Sequence, residues 1–63
     1  MSTPLTVDKV ASINRFLSQA RDAGANEIDE TRLVVARLLG RYPTMTACQA
    51  LDSISRTRQA LET

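Results

Sequence analysis

Residues 38–44, with the sequence LLGRYPT, separate two amphipathic segments and constrain the fold more than any other part of the chain. Gly40 tolerates the left-handed conformation that often ends a helix. Pro43 disfavours the α conformation at Tyr42, and the hydroxyl of Thr44 is suited to cap the backbone of a helix that follows. Together with the helical patterns on both sides, this break predicts an all-α fold in which three short helices pack on one another.

The spacing of apolar residues predicts the bounds of these helices. In each segment apolar side chains recur every three or four residues, which places them on one face of a helix. Thr6 is the expected N-cap of the first helix, and Gly24 is the expected end of that helix. The predicted helices span residues 7–23, 29–39 and 45–61.

The chain has 63 residues, and we predict that residues 1–63 form a single three-helix domain. A domain of this size buries only about 60% of the surface that its unfolded chain exposes, so its stability is small. Phe16 and Tyr42 are the only aromatic residues, so the core must be aliphatic. Association with a second chain would compensate for such a small core, and this is the first indication of function.

Cys48 is the only cysteine, so the only disulfide available to it would join two copies of the chain. This composition is typical of a reducing compartment. The first fifteen residues lack the basic start and the apolar run of a signal peptide. The longest apolar run of the chain, residues 33–36, is far shorter than the ~20 residues of a membrane span. We therefore expect a cytoplasmic protein that does not interact with membranes. Seven arginines beside one lysine favour a bacterial or phage origin.

The second predicted helix is apolar around most of its circumference. Either Asn26 or Asp29 can cap it. A helix of this kind is buried on more than one side, and in so small a bundle two neighbours leave part of it uncovered. Its polar strip is formed by Glu30, Arg37 and Arg41. Its apolar residues are Ile28, Leu33, Val34, Val35, Ala36, Leu38 and Leu39.

This excess of apolar surface predicts a small non-enzymatic protein that regulates or inhibits by binding another protein, or a second copy of itself as a homodimer. A contact of this kind has apolar anchors at its centre and polar side chains at its rim. Tyr42 would serve as an amphipathic anchor. The residues expected to contact the partner are Leu33, Val34, Arg37, Leu38, Arg41 and Tyr42.

The sequence offers little for catalysis. It contains no histidine, which is the commonest general base and a frequent metal ligand. The single cysteine therefore has no imidazole partner and cannot by itself form a zinc site. Gly24 and Gly40 are isolated, so there is no glycine-rich phosphate loop. We expect no enzyme activity, no cofactor, no metal ion and no small-molecule substrate.

Charge is unevenly divided between the two halves of the chain, and this raises an alternative function. Residues 1–30 carry three basic and five acidic side chains, whereas residues 31–63 carry five basic and two acidic ones. A basic half is typical of nucleic-acid binding, and residues 46–61 resemble a degenerate helix-turn-helix motif with its turn at residues 52–54. In this alternative the protein is a DNA-binding transcriptional regulator. The predicted nucleic-acid contacts are Arg56 and Arg58.

The apolar stripe of the third helix favours one straight helix over this motif. Leu51, Ile54 and Leu61 follow one another at helical spacing. Asp52 precedes Arg56 by four residues, so we expect these two to form a surface ion pair worth ~0.3–0.5 kcal/mol. Arg58 interrupts the stripe, and its side chain is expected either to extend into water near the helix end or to anchor a partner's carboxylate or phosphate. These two interpretations stay open at the level of the sequence.

Three short segments resemble the C-terminal region of flagellar anti-sigma factors: KVASI at residues 9–13, GANEID at residues 24–29 and LL at residues 38–39. The resemblance covers about half of the chain. The sequence departs from the family pattern in the longer gap between the first two segments and in the length of chain that follows the third. The resemblance implies a further alternative, an anti-sigma-factor-like binder, and it transfers no binding residues.

Overall fold

In the computed structural model, which describes residues 6–62, the chain forms three α-helices and no β-strand. Helix α1 spans Val7–Asp22, α2 spans Glu27–Arg41 and α3 spans Ala47–Glu62. The predicted all-α three-helix bundle is confirmed, and the predicted bounds differ from the observed ones by at most two residues at either end. None of the three helices combines the length and the apolar character that crossing a membrane requires.

The core is built from aliphatic side chains to which each helix contributes two. They are Ile13 and Leu17 from α1, Val34 and Leu38 from α2, and Ala50 and Ile54 from α3, all at most 1% exposed. Burying a large aliphatic side chain contributes about 1.5–3 kcal/mol, so these positions tolerate little loss of volume. Thr57 is also fully buried, and its hydroxyl donates a hydrogen bond to the carbonyl of Ser53 at 2.8 Å. The buried hydroxyl of Thr57 is therefore satisfied within its own helix.

The connection between α1 and α2 is set by Gly24 and Asn26. Gly24 has a φ of +81° and is the only one of residues 6–62 in the left-handed region, which a side chain disfavours. The side-chain oxygen of Asn26 accepts a hydrogen bond from the N–H of Asp29 at 2.9 Å, so Asn26 rather than Asp29 is the N-cap of α2. The helix therefore begins two residues earlier than predicted, and its acidic first turn lies at the positive end of the helix dipole.

The break between α2 and α3 differs in detail from the prediction. Gly40 lies inside α2 with no left-handed backbone, and the helix continues to Arg41. Pro43 ends it instead, by holding Tyr42 out of the α conformation at φ −120° and ψ 86°. The predicted left-handed turn at Gly40 is wrong, because the proline acts on the residue directly before it and glycine is tolerated within a helix at a cost of about 1 kcal/mol.

Thr46, not the predicted Thr44, caps α3. The N–H of Gln49 donates to the hydroxyl oxygen of Thr46 at 3.2 Å, and the N–H of Thr46 donates to the side-chain oxygen of Gln49 at 3.0 Å. This reciprocal pair is a capping box, which requires Glu or Gln three residues after the capping hydroxyl. Thr46 meets that requirement, whereas the residue three positions after Thr44 is Ala47.

Glu30 links all three helices, although the pattern of α2 places it in an exposed polar strip. Its carboxylate accepts hydrogen bonds from Nε of Arg21 in α1 at 3.0 Å and from Nη2 of Arg58 in α3 at 2.6 Å, and the residue is 6% exposed. Burial raises the pKa of Glu30, but the hydrogen bonds and charges of Arg58 and Arg21 outweigh this effect and hold the pKa below its usual value. The expectation of an exposed Glu30 is wrong, because both neighbouring helices send an arginine to this side of α2.

Candidate protein-docking surfaces

Two of the predicted partner contacts, Val34 and Leu38, are core residues. Their exposed fractions are 1% and 0%. While the domain is folded, neither side chain can touch another protein, so this part of the prediction is wrong. The pattern of α2 identifies its apolar residues, but it does not say which of them the two neighbouring helices cover.

Tyr42 and Arg41 hold the end of α2 against the start of α1. The hydroxyl of Tyr42 donates a hydrogen bond to one carboxylate oxygen of Asp8, and Nη2 of Arg41 donates to the other at 3.2 Å. The hydroxyl of Ser12 lies 3.4 Å from that of Tyr42. The hydrogen bonds from Tyr42 and Arg41 hold the pKa of Asp8 below its usual value. Tyr42 thus anchors its own chain, where the sequence predicts an anchor for a partner.

The last two predicted contacts, Leu33 and Arg37, line a groove between α1 and α2. Leu33 is 46% exposed, and the guanidinium of Arg37 lies over the ring of Phe16, 6.0 Å from its centroid. This part of the groove is lined by Phe16, Gln19, Ala20, Ala23, Leu33 and Arg37. Past Phe16, towards the start of α1, the lining consists of Asp8, Ala11, Ser12, Arg15 and Arg41. We call these residues together the α1–α2 groove.

A second surface, between α2 and α3, is almost entirely apolar. Ile28 and Leu51 are 67% and 49% exposed at its two ends. The surface between them is lined by Thr31, Arg32, Val35, Ala36, Leu39 and Leu51, and Ile28 lies beside Thr31 and Arg32. We call Ile28, Val35, Ala36, Leu39 and Leu51 the apolar patch.

The apolar patch and the α1–α2 groove lie on opposite sides of α2. Val35 follows Ile28 by seven residues, and Leu39 follows Val35 by four, so the three side chains form one stripe along the helix. Leu33 and Arg37 form a second stripe, and the two core residues of α2, Val34 and Leu38, lie between the two stripes. Sequence reasoning missed the patch because it assigned Leu51 to the core stripe of α3. The sequence feature that could have revealed the patch is the width of the apolar arc on α2.

The arginines predicted to contact nucleic acid both have acidic partners. Nε of Arg56 lies 3.1 Å from a carboxylate oxygen of Asp52, which confirms the predicted surface ion pair. Arg58 is paired with Glu30, and its side chain is only 22% exposed. Helix α3 runs without a break through residues 52–54, so the predicted helix-turn-helix is wrong and the straight helix is confirmed.

The described residues bring together little that could perform chemistry. Within residues 6–62 there is no group of three or more His, Cys, Asp or Glu side chains arranged to hold a metal ion. Cys48 is a free, exposed thiol in the first turn of α3, one turn before Leu51.

Comparison of the chain with models of protein families, with curated proteins and with solved structures gives no match. The resemblance of three short segments to flagellar anti-sigma factors has no family match behind it.

Proposed function

We propose that this chain is a non-enzymatic protein-interaction module that regulates or inhibits by association, and that its apolar patch pairs with the same patch on a second copy. The observation that carries the proposal is the exposure of large aliphatic side chains at both ends of the patch, 67% at Ile28 and 49% at Leu51. Removing apolar surface from water contributes about 25 cal/mol per Å². Within residues 6–62 no further helix covers this patch.

The order of residues along α2 supports a second copy as the occupant. Ile28 lies near the start of the helix, Leu39 near its end, and Arg32 and Val35 between them. When two α2 helices run antiparallel about a two-fold axis, Ile28 of one copy lies opposite Leu39 of the other, and the stem of Arg32 lies opposite Val35. The aliphatic stripe of each copy then faces the same stripe of the other, as a self-complementary interface requires.

The size of the patch supports weak, reversible association. Stable interfaces bury upwards of about 1,200 Å² in total, and this contact uses one face of α2 with one side chain of α3. We therefore expect a dissociation constant between about 1 µM and 1 mM, which corresponds to about −8 to −4 kcal/mol. Association of this strength suits a regulator whose state depends on its concentration.

Sedimentation equilibrium over about 10 µM to 1 mM tests the proposal, because this range spans the expected dissociation constant. The mean mass of the wild-type chain should rise from 6.9 kDa towards twice that value. Ile28→Glu and Leu51→Glu should each remain monomeric, because the dimer would bury their charges without partners. Val7→Glu is the matched control, since Val7 is 87% exposed and lies on α1, away from the patch.

The proposal fails if the wild-type chain stays at 6.9 kDa throughout, or if the two patch variants associate as strongly as Val7→Glu. Far-ultraviolet circular dichroism must show equal helix content in all four proteins. The variant at Ile28 is well suited to this requirement, because a glutamate in the first turn of α2 favours the helix dipole.

We place this function in the cytoplasm. Cys48 is a free and exposed thiol, which persists in a reducing compartment.

A further inference from the structure

The side chains that line the α1–α2 groove carry more positive charge than their ion pairs within residues 6–62 neutralise. Arg15, Arg37 and Arg41 line it. Asp8 is the only acidic side chain in the lining, and it pairs with Arg41 at 3.2 Å. Within residues 6–62, Arg15 and Arg37 form no ion pair. Two positive charges in this lining are therefore uncompensated.

The floor of the groove beside Phe16 and Leu33 is mainly apolar. Phe16 contributes to both halves of the lining, and Leu33 is 46% exposed. Ala20 and Ala23 are small enough to let another backbone approach closely. The guanidinium of Arg37 covers the Phe16 ring in the free chain, and a long exposed side chain can rotate between staggered positions to uncover it. An apolar floor with cationic rims is complementary to an amphipathic helix with acidic flanks.

We infer that the α1–α2 groove binds an acidic amphipathic helix of another protein. The apolar side chains of that helix pack on Phe16 and Leu33, and its carboxylates pair with Arg15 on one rim and Arg37 on the other. The bound helix occupies a fourth position beside α1 and α2, on the side away from α3, as in a four-helix bundle. The inference is independent of pairing at the apolar patch, because the two surfaces lie on opposite sides of α2.

Nucleic acid fits this surface less well than an acidic helix. A phosphate backbone is bound by a continuous series of cations and hydrogen-bond donors, whereas here Phe16 is shared by the part of the lining that contains Arg15 and the part that contains Arg37. Arg56 and Arg58 do not extend the cationic surface, since they are paired with Asp52 and Glu30. Binding of a DNA duplex is therefore an outcome that the test must exclude.

Fluorescence anisotropy with a labelled model peptide tests the inference. The probe is a helical peptide of about 18 residues, or five turns, with Leu and Ala on one face and Glu on both flanks. One control peptide carries Lys in place of each Glu, a second has the same composition in an order that destroys the apolar face, and a third ligand is a DNA duplex of about 20 base pairs. Only the acidic amphipathic peptide should bind at micromolar concentration, and added salt should weaken its binding.

Charge reversal at single positions locates the site. Arg15→Glu and Arg37→Glu should each weaken binding of the acidic peptide by about 10-fold. Arg32→Glu is the matched control, because Arg32 is exposed, forms no ion pair within residues 6–62 and lies on the opposite side of α2. It should change the affinity by less than about 2-fold.

Three results overturn the inference: no binding of the acidic peptide at millimolar concentration, equal losses at Arg32 and Arg37, or tighter binding of the duplex or of the Lys peptide. Ile28→Glu separates this test from that of the proposed function. That variant should lose self-association and keep its affinity for the peptide, so either property can fail without the other.

Discussion

Replacing Glu30 by glutamine tests how this small bundle is held together, because one carboxylate joins all three helices. The substitution keeps the size of the side chain and one acceptor oxygen. It removes the negative charge that Arg21 and Arg58 share at 3.0 Å and 2.6 Å. Both arginines then lack their acidic partner, and we expect the free energy of unfolding to fall.

The magnitude follows from the exposure of the two arginines. A hydrogen bond to a charged group contributes about 1.5–3 kcal/mol, whereas an exposed ion pair contributes about 0.2–1 kcal/mol. The side chain of Arg58 is 22% exposed, which places its bond near the low end of the first range, and that of Arg21 is 57% exposed, which places its bond in the second. We therefore expect a loss of about 2 kcal/mol, out of about 3–9 kcal/mol for a domain of this size. The melting temperature should fall by about 8–16 °C.

The pH dependence separates the effect of charge from that of shape. In the folded chain the pKa of Glu30 lies below its usual value of 4.5. A carboxylate of this kind stabilises the fold at pH values above its unfolded pKa, and that contribution is lost as the pH falls through the folded pKa. The difference in unfolding free energy between the wild type and Glu30→Gln should therefore be constant from about pH 7 to pH 5 and shrink below about pH 4.5. Urea denaturation followed by circular dichroism at each pH measures this difference.

Glu27→Gln is the matched control, because Glu27 is an exposed residue in the same first turn and forms no ion pair within residues 6–62. It should cost about 0.5 kcal/mol, through the helix dipole alone. A loss at Glu30 no larger than this, or one that is the same at about pH 3 as at pH 7, would refute the reasoning.

The remaining predictions concern the turns and the lone cysteine. Gly40→Ala should raise the free energy of unfolding by about 0.5–1 kcal/mol, because Gly40 is helical and a methyl group there meets nothing within 4 Å. Gly24→Ala should lower the free energy of unfolding by about 1–2 kcal/mol, because alanine disfavours the φ of +81° that Gly24 adopts. Urea denaturation of both variants checks this opposition, and equal signs would contradict it. Thr46→Ala should lower the free energy of unfolding by about 1 kcal/mol through loss of the capping box, which thermal denaturation measures. Oxidation of the dimer should not join the two copies through Cys48. The antiparallel pairing separates the corresponding ends of the two α2 helices by about 16 Å, whereas a disulfide needs its two Cα atoms within about 7 Å. A covalent dimer on a non-reducing gel would indicate a parallel arrangement.

Local chemistry made the three helices predictable from the sequence. Thr6 caps α1 by accepting a hydrogen bond from the N–H of Lys9 at 3.2 Å, and Gly24 ends that helix, because both effects depend on residues within one turn. The ion pair between Asp52 and Arg56 lies within one turn of α3 and was predictable for the same reason. The capping box at Thr46 was also visible in the sequence, and the threonine two residues earlier was mistaken for the cap.

Contacts between helices were the part that sequence reasoning missed. The apolar arc of α2 is divided three ways, with Val34 and Leu38 in the core, Leu33 in the α1–α2 groove and Leu39 at the apolar patch. The division depends on the side from which each neighbour packs, and no periodicity within α2 contains that information. Glu30 illustrates the same limit, since its burial depends on arginines from two other helices.

A dilution series of amide ¹H–¹⁵N spectra tests most directly whether the outer side of α2 is where two copies meet. Resonances of Ile28, Arg32, Ala36, Leu39 and Leu51 should shift together as the concentration rises, while those of Arg15, Gln19 and Arg37 stay fixed. Spectra that do not change up to about 1 mM, or shifts that centre on the α1–α2 groove, would contradict the account.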